Sequence, residues 1–219
     1  MDIGGAYTAD RAAALSGVPK STVHYWARNH HLSPSVSAKP RLWSFTDLLA
    51  LRTIYWLRQP KAAFDREVPA TSMPKVKHAL GRLRELDLDL FEDGHPVVGV
   101  TLDGDVVFNV EGMPLQTAGG QFLPSKIVDI LGPFEGLEGI QGPDLRSPRP
   151  TLRIIPRKIS GAPHIAGTRL PTLSIYSLSE RGYTVAELSK IYPYTSSASL
   201  EESIELEKQL RDNIRLRAA

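Results

Sequence analysis

The sequence predicts an α+β fold that is mainly α, and three observations carry the prediction. Near the N-terminus, two short segments of helical periodicity flank a glycine-containing turn at Ser16-Gly17-Val18. In the middle, two valine-rich runs meet at Asp103-Gly104, the strongest short-range signal of a β-hairpin. Beyond Pro171, three segments each open with a capping pattern and continue at helical spacing. The chain therefore reads as a helix-turn-helix with a wing over 1–60, a middle α/β-hairpin region and linker over 61–149, and a trihelical domain over 150–219.

At 219 residues and 42% hydrophobic content the chain can bury real cores and has room for two or three small domains. No apolar run approaches the length needed to cross a bilayer, and MDIGGAYTAD lacks the basic-then-apolar pattern of a signal peptide. We expect a cytoplasmic protein with no membrane partner. The absence of cysteine excludes a disulfide framework, thiolate metal sites and thiol catalysis together. The net charge of +2 does not announce a nucleic-acid ligand, so any basic surface must come from local clustering.

Thr8 offers an N-cap for a first helix with Ala12, Ala13 and Leu15 on its buried side. After the turn, GVPKSTVHYWARNHH starts a second helix at Pro19, where the first amides lack intrahelical partners anyway. Helical winding places Val23, Trp26, Ala27 and His30 on one face, with Lys20, Ser21, His24, Tyr25 and Arg28 on the other. The second face is basic, aromatic and rich in donors, which suits phosphates and base edges. It also fits a bland reading in which Tyr25 or Trp26 is simply a core aromatic. Periodicity is lost through SPSVSAKPR, a candidate wing, and returns at Leu42-Trp43-Ser44-Phe45 before a helix capped by Thr46 with Leu48, Leu49, Ile54 and Leu57 inside.

YTADRAAALSGVPKSTVHYWARNHHL, the short wing and RLWSFTDLLALRTIYWLR resemble the winged helix-turn-helix of MerR-type regulators, and more closely the DNA-binding domain of VapB-type antitoxins. The resemblance rests on Gly17, Val18, Tyr25 and Arg28 at the expected spacings and covers about the first quarter of the chain. It implies DNA contacts from Lys20, Ser21, Thr22, His24, Tyr25 and Arg28, helped by Lys39 and Arg41 on the wing. Ser21 and His24 stand where many relatives carry arginine, so contact strength should depend on pH through His24. His24, His30 and His31 have no carboxylate or thiolate at a useful local spacing, and no metal site is expected.

The text QPKAAFDR breaks the pattern, and Pro69 and Pro74 punctuate a linker before a helix from about Lys75 to Leu86. LDLDLFEDG invites a metal-nuclease reading, but its alternation places Leu86, Leu88 and Leu90 on one strand face and leaves Asp87 and Asp89 to solvent. Phe108 should pack across from the Gly99 region of the hairpin. Gly119-Gly120 lacks the Lys-Ser/Thr ending of a phosphate loop. A helix from Ser125 to Leu131 and a Gly/Pro-rich linker through Pro150 complete the region. No catalytic residue and no cofactor are expected.

In the last segment, Ile154, Ile155 and Ile159 suggest strand-like pairing. Pro171-Thr172 opens a helix with Ile175, Leu178 and Ser179 inward. Thr184 and Glu187 form a capping box for a second with Val185, Leu188 and Ile191 buried, and a third starts near Ser199 with Glu202 at the same spacing. The run Gly161-Ala162-Pro163-His164-Ile165-Ala166-Gly167-Thr168-Arg169-Leu170-Pro171 closely resembles the GxPxIxGTRxP signature of a small trihelical domain of unknown function. His164 departs from the usual aliphatic residue. That domain recurs in antitoxins whose partners are PIN-domain ribonucleases of the VapC type. Arg169 either satisfies loop carbonyls or meets such a partner. In the tail, Leu206, Leu210 and Ile214 recur every four residues while Arg211, Arg215 and Arg217 crowd the end. The tail is either a helix packed on its own domain or a helix that enters the toxin's groove, one arginine reaching its carboxylates.

Together the resemblances imply a non-enzymatic, homodimeric repressor and antitoxin whose partners are operator DNA and a PIN-domain VapC-type toxin. A stand-alone MerR-like regulator sensing a small ligand is the first alternative, and an enzyme built on LDLDLFEDG the second.

Overall fold

The computed structural model describes residues 4–59, 61–63, 66–68, 70–76, 97–100, 106–110, 113–114, 126–135 and 139–215. The fold is α+β and mainly helical, with a helix-turn-helix at the N-terminus. Two compact units divide it: Asp2–Leu48 together with Pro133–Ala219, and Leu49–Gly132 with Met1. The division does not follow the order of the chain, because the first unit draws on both of its ends.

The first unit begins with β1 (Tyr7–Thr8) and α1 (Ala9–Ser16). Thr8 caps α1, its hydroxyl accepting the Arg11 N–H at 3.3 Å. Gly17 takes a left-handed conformation, φ 72°, that ends the helix and lets α2 (Lys20–Arg28) leave in a new direction. Ala12, Ala13, Ala14 and Leu15 are buried, as are Val23, Trp26 and Ala27 of α2, so the helical spacing reads both inner faces correctly. His30 is the exception: it is exposed, at φ 52°, past the end of α2.

The wing is a hairpin of β2 (Ser37–Ala38) and β3 (Arg41–Trp43) with Lys39-Pro40 at its tip, and β1 pairs with the other side of β3. Asp47 anchors its base. That buried carboxylate accepts from the Ser35 N–H and hydroxyl and from the Ser44 N–H, at 2.8 to 2.9 Å. The cap of α3 (Phe45–Leu57) is Ser44 and not Thr46, because the Ser44 hydroxyl accepts the Asp47 N–H at 3.1 Å while the Asp47 side chain reaches back. The unit boundary falls within α3, between Leu48 and Leu49.

The other half of this unit is the C-terminal module. The paired strands β10 (Phe134–Glu135) and β11 (Gln141–Gly142) lead into a stretch with Leu145 buried. The expected loose linker is thus partly packed: the Asn213 side chain bonds both the N–H and the carbonyl of Gln141. β12 (Leu152–Arg153) pairs with β13 (His164–Ile165), so the strand lies just before the isoleucines expected to form it. Ile154 is buried, Ile155 is exposed and Ile159 has a left-handed backbone. Three helices follow: α4 (Thr172–Ser179), α5 (Val185–Ile191) and α6 (Ser197–Arg215).

The capping box of Thr184 and Glu187 on α5 forms as its spacing indicates. Ile191, expected inside, is exposed, because α5 ends there and Leu188 is the residue it buries. α6 starts at Ser197, capped by Ser196, whose hydroxyl accepts the Ser199 N–H. Glu202 therefore caps nothing; it accepts from the N–H and hydroxyl of Thr151.

α6 is the keel of the unit. It packs against α4 and α5 on its own module and against α1 of the helix-turn-helix. Leu200, Leu206 and Leu210 are fully buried there, each contributing about 1.5–3 kcal/mol of hydrophobic stabilisation. Polar links join the two ends of the chain. The Tyr7 hydroxyl donates to the Gly161 carbonyl at 2.9 Å. The Ala6 N–H donates to the Ser160 carbonyl at 3.0 Å, Arg11 pairs with Glu207, and the Asn213 amide donates to the Ala14 carbonyl at 3.0 Å.

In the second unit, the stretch read as pattern break and linker holds an antiparallel pair, β4 (Lys61–Ala63) and β5 (Arg66–Val68). A four-stranded sheet runs in the order β8-β7-β6-β9, with β6 (Val97–Val100) and β7 (Val106–Val110) forming the expected hairpin and β8 (Met113–Pro114) on its edge. Phe108 lies opposite Val98, next to Gly99. The helix expected over Ser125–Leu131 is instead β9 (Lys126–Asp129), paired along the full length of β6. Seven residues make a marginal helix, whereas Ile127 and Val128 favour a strand once a partner edge is present. The buried Arg52 guanidinium donates to the carbonyls of Ile130 and Gly132. Of the helix read over Lys75–Leu86, only its start is described, helical over 73–76. LDLDLFEDG with Asp87 and Asp89, the Asp103-Gly104 turn and Gly119-Gly120 lie outside the described residues.

Candidate nucleic-acid interface

The face of α2 turned from the core carries the side chains singled out for DNA. Ser21, Tyr25 and Arg28 are exposed, Tyr25 by 51%, and Thr22 and His24 are half-buried. This follows from the helix pitch: once Val23, Trp26 and Ala27 are sunk, the intervening positions must face outward. Lys39 and Arg41 are exposed on the wing, one at its tip and one on β3. The Tyr25 ring lies beside that of His31, their centroids 5.9 Å apart.

His24 reports how close these groups are. Its imidazole is held below the ordinary value first by burial and then by the positive charges of Lys20, Arg41 and Arg28, with Asp10 pulling the other way. The three cations come from two elements, α2 and the wing, and converge on one ring. A site with this charge, one exposed aromatic and several hydroxyls can neutralise phosphates and hydrogen-bond base edges. Lys20 is already engaged, its Nζ 2.8 Å from Asp10 Oδ1 on α1. Asp10 is absent from the sequence-based site because an acidic residue in a first helical turn reads as a dipole partner and nothing more.

Residues 7–62 match the family described as MerR HTH family regulatory protein. The N-terminus is a MerR-family helix-turn-helix domain. A domain of this kind suggests DNA-binding regulation. Residues 153–205 match the family described as protein of unknown function (DUF433), so the GxPxIxGTRxP run lies in a DUF433 domain. No curated protein and no solved structure matches the chain. Among the described residues, no helix is long and apolar enough to cross a membrane.

The residues read as toxin-facing are dispersed. Leu206 and Leu210 are buried on α6, which packs against α1 and α4, so the apolar stripe of the tail is used within its own unit. Arg211 donates to the Tyr176 hydroxyl at 2.8 Å and to Glu180, whose carboxyl it holds below the usual range. Ile214 is half-buried, Arg169 and Arg215 are exposed, and Arg217 lies outside the described residues.

Proposed function

We propose that the chain is the antitoxin of a type II toxin-antitoxin pair, repressing its own operon and neutralising a PIN-domain ribonuclease of the VapC type. The observation that carries the DNA half is the convergence of Lys20, Arg28 and Arg41 on His24 in a MerR-family domain. Operators of such regulators are two-fold, so the protein acts as a homodimer with one α2 per half-site. The protein has no catalytic role in this reading and works in the cytoplasm.

The toxin half rests on the GxPxIxGTRxP run and on what the C-terminal module leaves outside. Leu173, Tyr183, Ile191 and Tyr194 are exposed apolar side chains, and Arg169 and Arg215 are exposed cations. An arginine fork engages carboxylates bidentately and keeps its charge at any working pH, which suits a metal-binding acidic centre. The toxin contact therefore falls to Arg169, Ile214, Arg215 and Arg217, with Leu206, Leu210 and Arg211 supporting them from within.

A second reading, a regulator that senses a small ligand, draws on a cleft of about 510 Å³ lined by Thr8, Arg11, Ser160, Pro163, Leu173 and Ser174. One experiment separates the two. The purified chain is mixed with the product of the adjacent reading frame and metal-dependent RNA cleavage is followed. Inhibition by the intact chain that is lost on joint Arg169→Ala and Arg215→Ala substitution supports the antitoxin. Uninhibited cleavage, or a neighbour that is no ribonuclease, turns the reading to the ligand-sensing regulator.

A further inference from the structure

We infer that Asp10 is an intramolecular stand-in for a DNA phosphate, occupying Lys20 until DNA displaces it and so setting the sequence-independent part of the affinity. The inference rests on α2 being the DNA-facing helix. Lys20 is the first residue of that helix, and its Nζ sits 2.8 Å from Asp10 Oδ1, with the two side chains 42% and 50% exposed. An ion pair this open is exchangeable: water and salt weaken it, and a phosphate oxygen offers the same ammonium an equivalent acceptor.

Among the described residues from Gly4 to Leu48, the acidic side chains are Asp10 and Asp47. Asp47 is buried at the base of the wing with three donors on it. Among the described residues from Gly4 to Leu48, Asp10 is thus the one solvent-facing carboxylate beside an outer face that carries Lys20, Arg28, Lys39 and Arg41. Its field also reaches His24, where it opposes the surrounding cations.

Two effects follow. Lys20 must give up a carboxylate to take a phosphate, so its net gain on binding is small. The uncovered carboxylate then faces a polyanion, which costs further affinity on every sequence alike. Removing the charge should release Lys20 for one full phosphate contact.

The test uses the full chain and a fluorescein-labelled duplex of about 20 base pairs of arbitrary sequence, read by anisotropy from about 50 to about 200 mM KCl. Asp10→Asn and Asp10→Ser are measured beside Lys20→Ala, Arg28→Ala and Asp10→Asn/Lys20→Ala, each checked for native circular dichroism. The expected result is binding at least about threefold tighter in both Asp10 variants, with a log–log salt slope steeper by up to about 0.9, because no displaced carboxylate then takes up a cation as the phosphates release theirs. That gain should shrink in the Lys20→Ala background. If Lys20→Ala and Arg28→Ala weaken binding while both Asp10 variants leave affinity and slope unchanged, the inference is overturned and the DNA face stands. If neither cation matters, the DNA face itself is wrong and the inference falls with it.

Discussion

Arg11 on α1 grips Glu207 on α6 through two parallel hydrogen bonds of 2.6 and 2.7 Å, across 196 residues of sequence. Glu207 is 3% exposed and also accepts from the Thr172 hydroxyl, so one carboxylate ties the helix-turn-helix to two helices of the C-terminal module. Removing one partner of such a pair leaves the other charge stranded away from water. Arg11→Ala should therefore lower unfolding free energy by about 3 kcal/mol, read as a fall in the urea midpoint. Glu207→Gln, which keeps the shape and strands no anion, should cost less. Equal stability of Arg11→Ala and the parent would show the pair to be idle.

The contact of Tyr7 with Gly161 makes a second joint between the same segments. A β-carbon on Gly161 would lie 2.1 Å from the Tyr7 hydroxyl, and its φ of +78° already disfavours any other residue. Burial pushes the Tyr7 phenol up, with Arg11 opposing, so it stays a protonated donor at any working pH. Tyr7→Phe loses one hydrogen bond and should cost about 1 kcal/mol. Gly161→Ala must displace the ring as well and should cost more than Tyr7→Phe, measurable in parallel thermal melts.

DNA affinity should rise as the pH falls. In the free protein the His24 pKa lies below 6.5, held there by burial and by Lys20, Arg41 and Arg28. Bound phosphates offset those cations and favour the imidazolium, so the complex has the higher pKa and binding takes up protons. Affinity then climbs as pH drops through the bound value and levels off below the free one. Anisotropy titrations across that range should show the climb, and His24→Gln should flatten it. A pH-independent parent would remove His24 from the interface.

His164 has the opposite consequence, for stability. It is fully buried, its Nδ1–H donates to the Ala162 carbonyl at 2.9 Å, and its Nε2 has no hydrogen-bond partner among the described residues. Burial lowers its pKa; the bond to Ala162 opposes this and the charge of Lys158 adds to it. A histidine held neutral contributes stability that is present above 6.5 and lost as pH falls toward its folded value. Urea midpoints should drop across this window, and His164→Val should remove that part of the drop. Parallel pH profiles for the two proteins would refute it.

Much of the candidate face was legible from spacing alone, because an amphipathic helix obeys one rule: three sunk residues, Val23, Trp26 and Ala27, leave the others outside. Caps with two reciprocal partners, such as Thr184 with Glu187, were equally readable. What the sequence hid depends on pairings between distant residues. Asp10 looks like an ordinary first-turn acid until Lys20 is placed beside it. Leu206 and Leu210 form a stripe that fits a partner or the domain's own core, and only the position of α1 decides between them. β9 reads as a short helix because its strand character comes from the edge of β6 and not from its own few residues.

The unit that holds the helix-turn-helix is completed by residues at the far end of the chain, with Leu49–Gly132 interposed. On the ribosome, α1 and α2 emerge well before α6 and wait for it. A nascent chain that stops early lacks Glu207 for Arg11 and Asn213 for the Ala14 carbonyl, and bares the flank of α1 that α6 would cover. In this architecture the helix-turn-helix, made early, is completed only once α6 has been made.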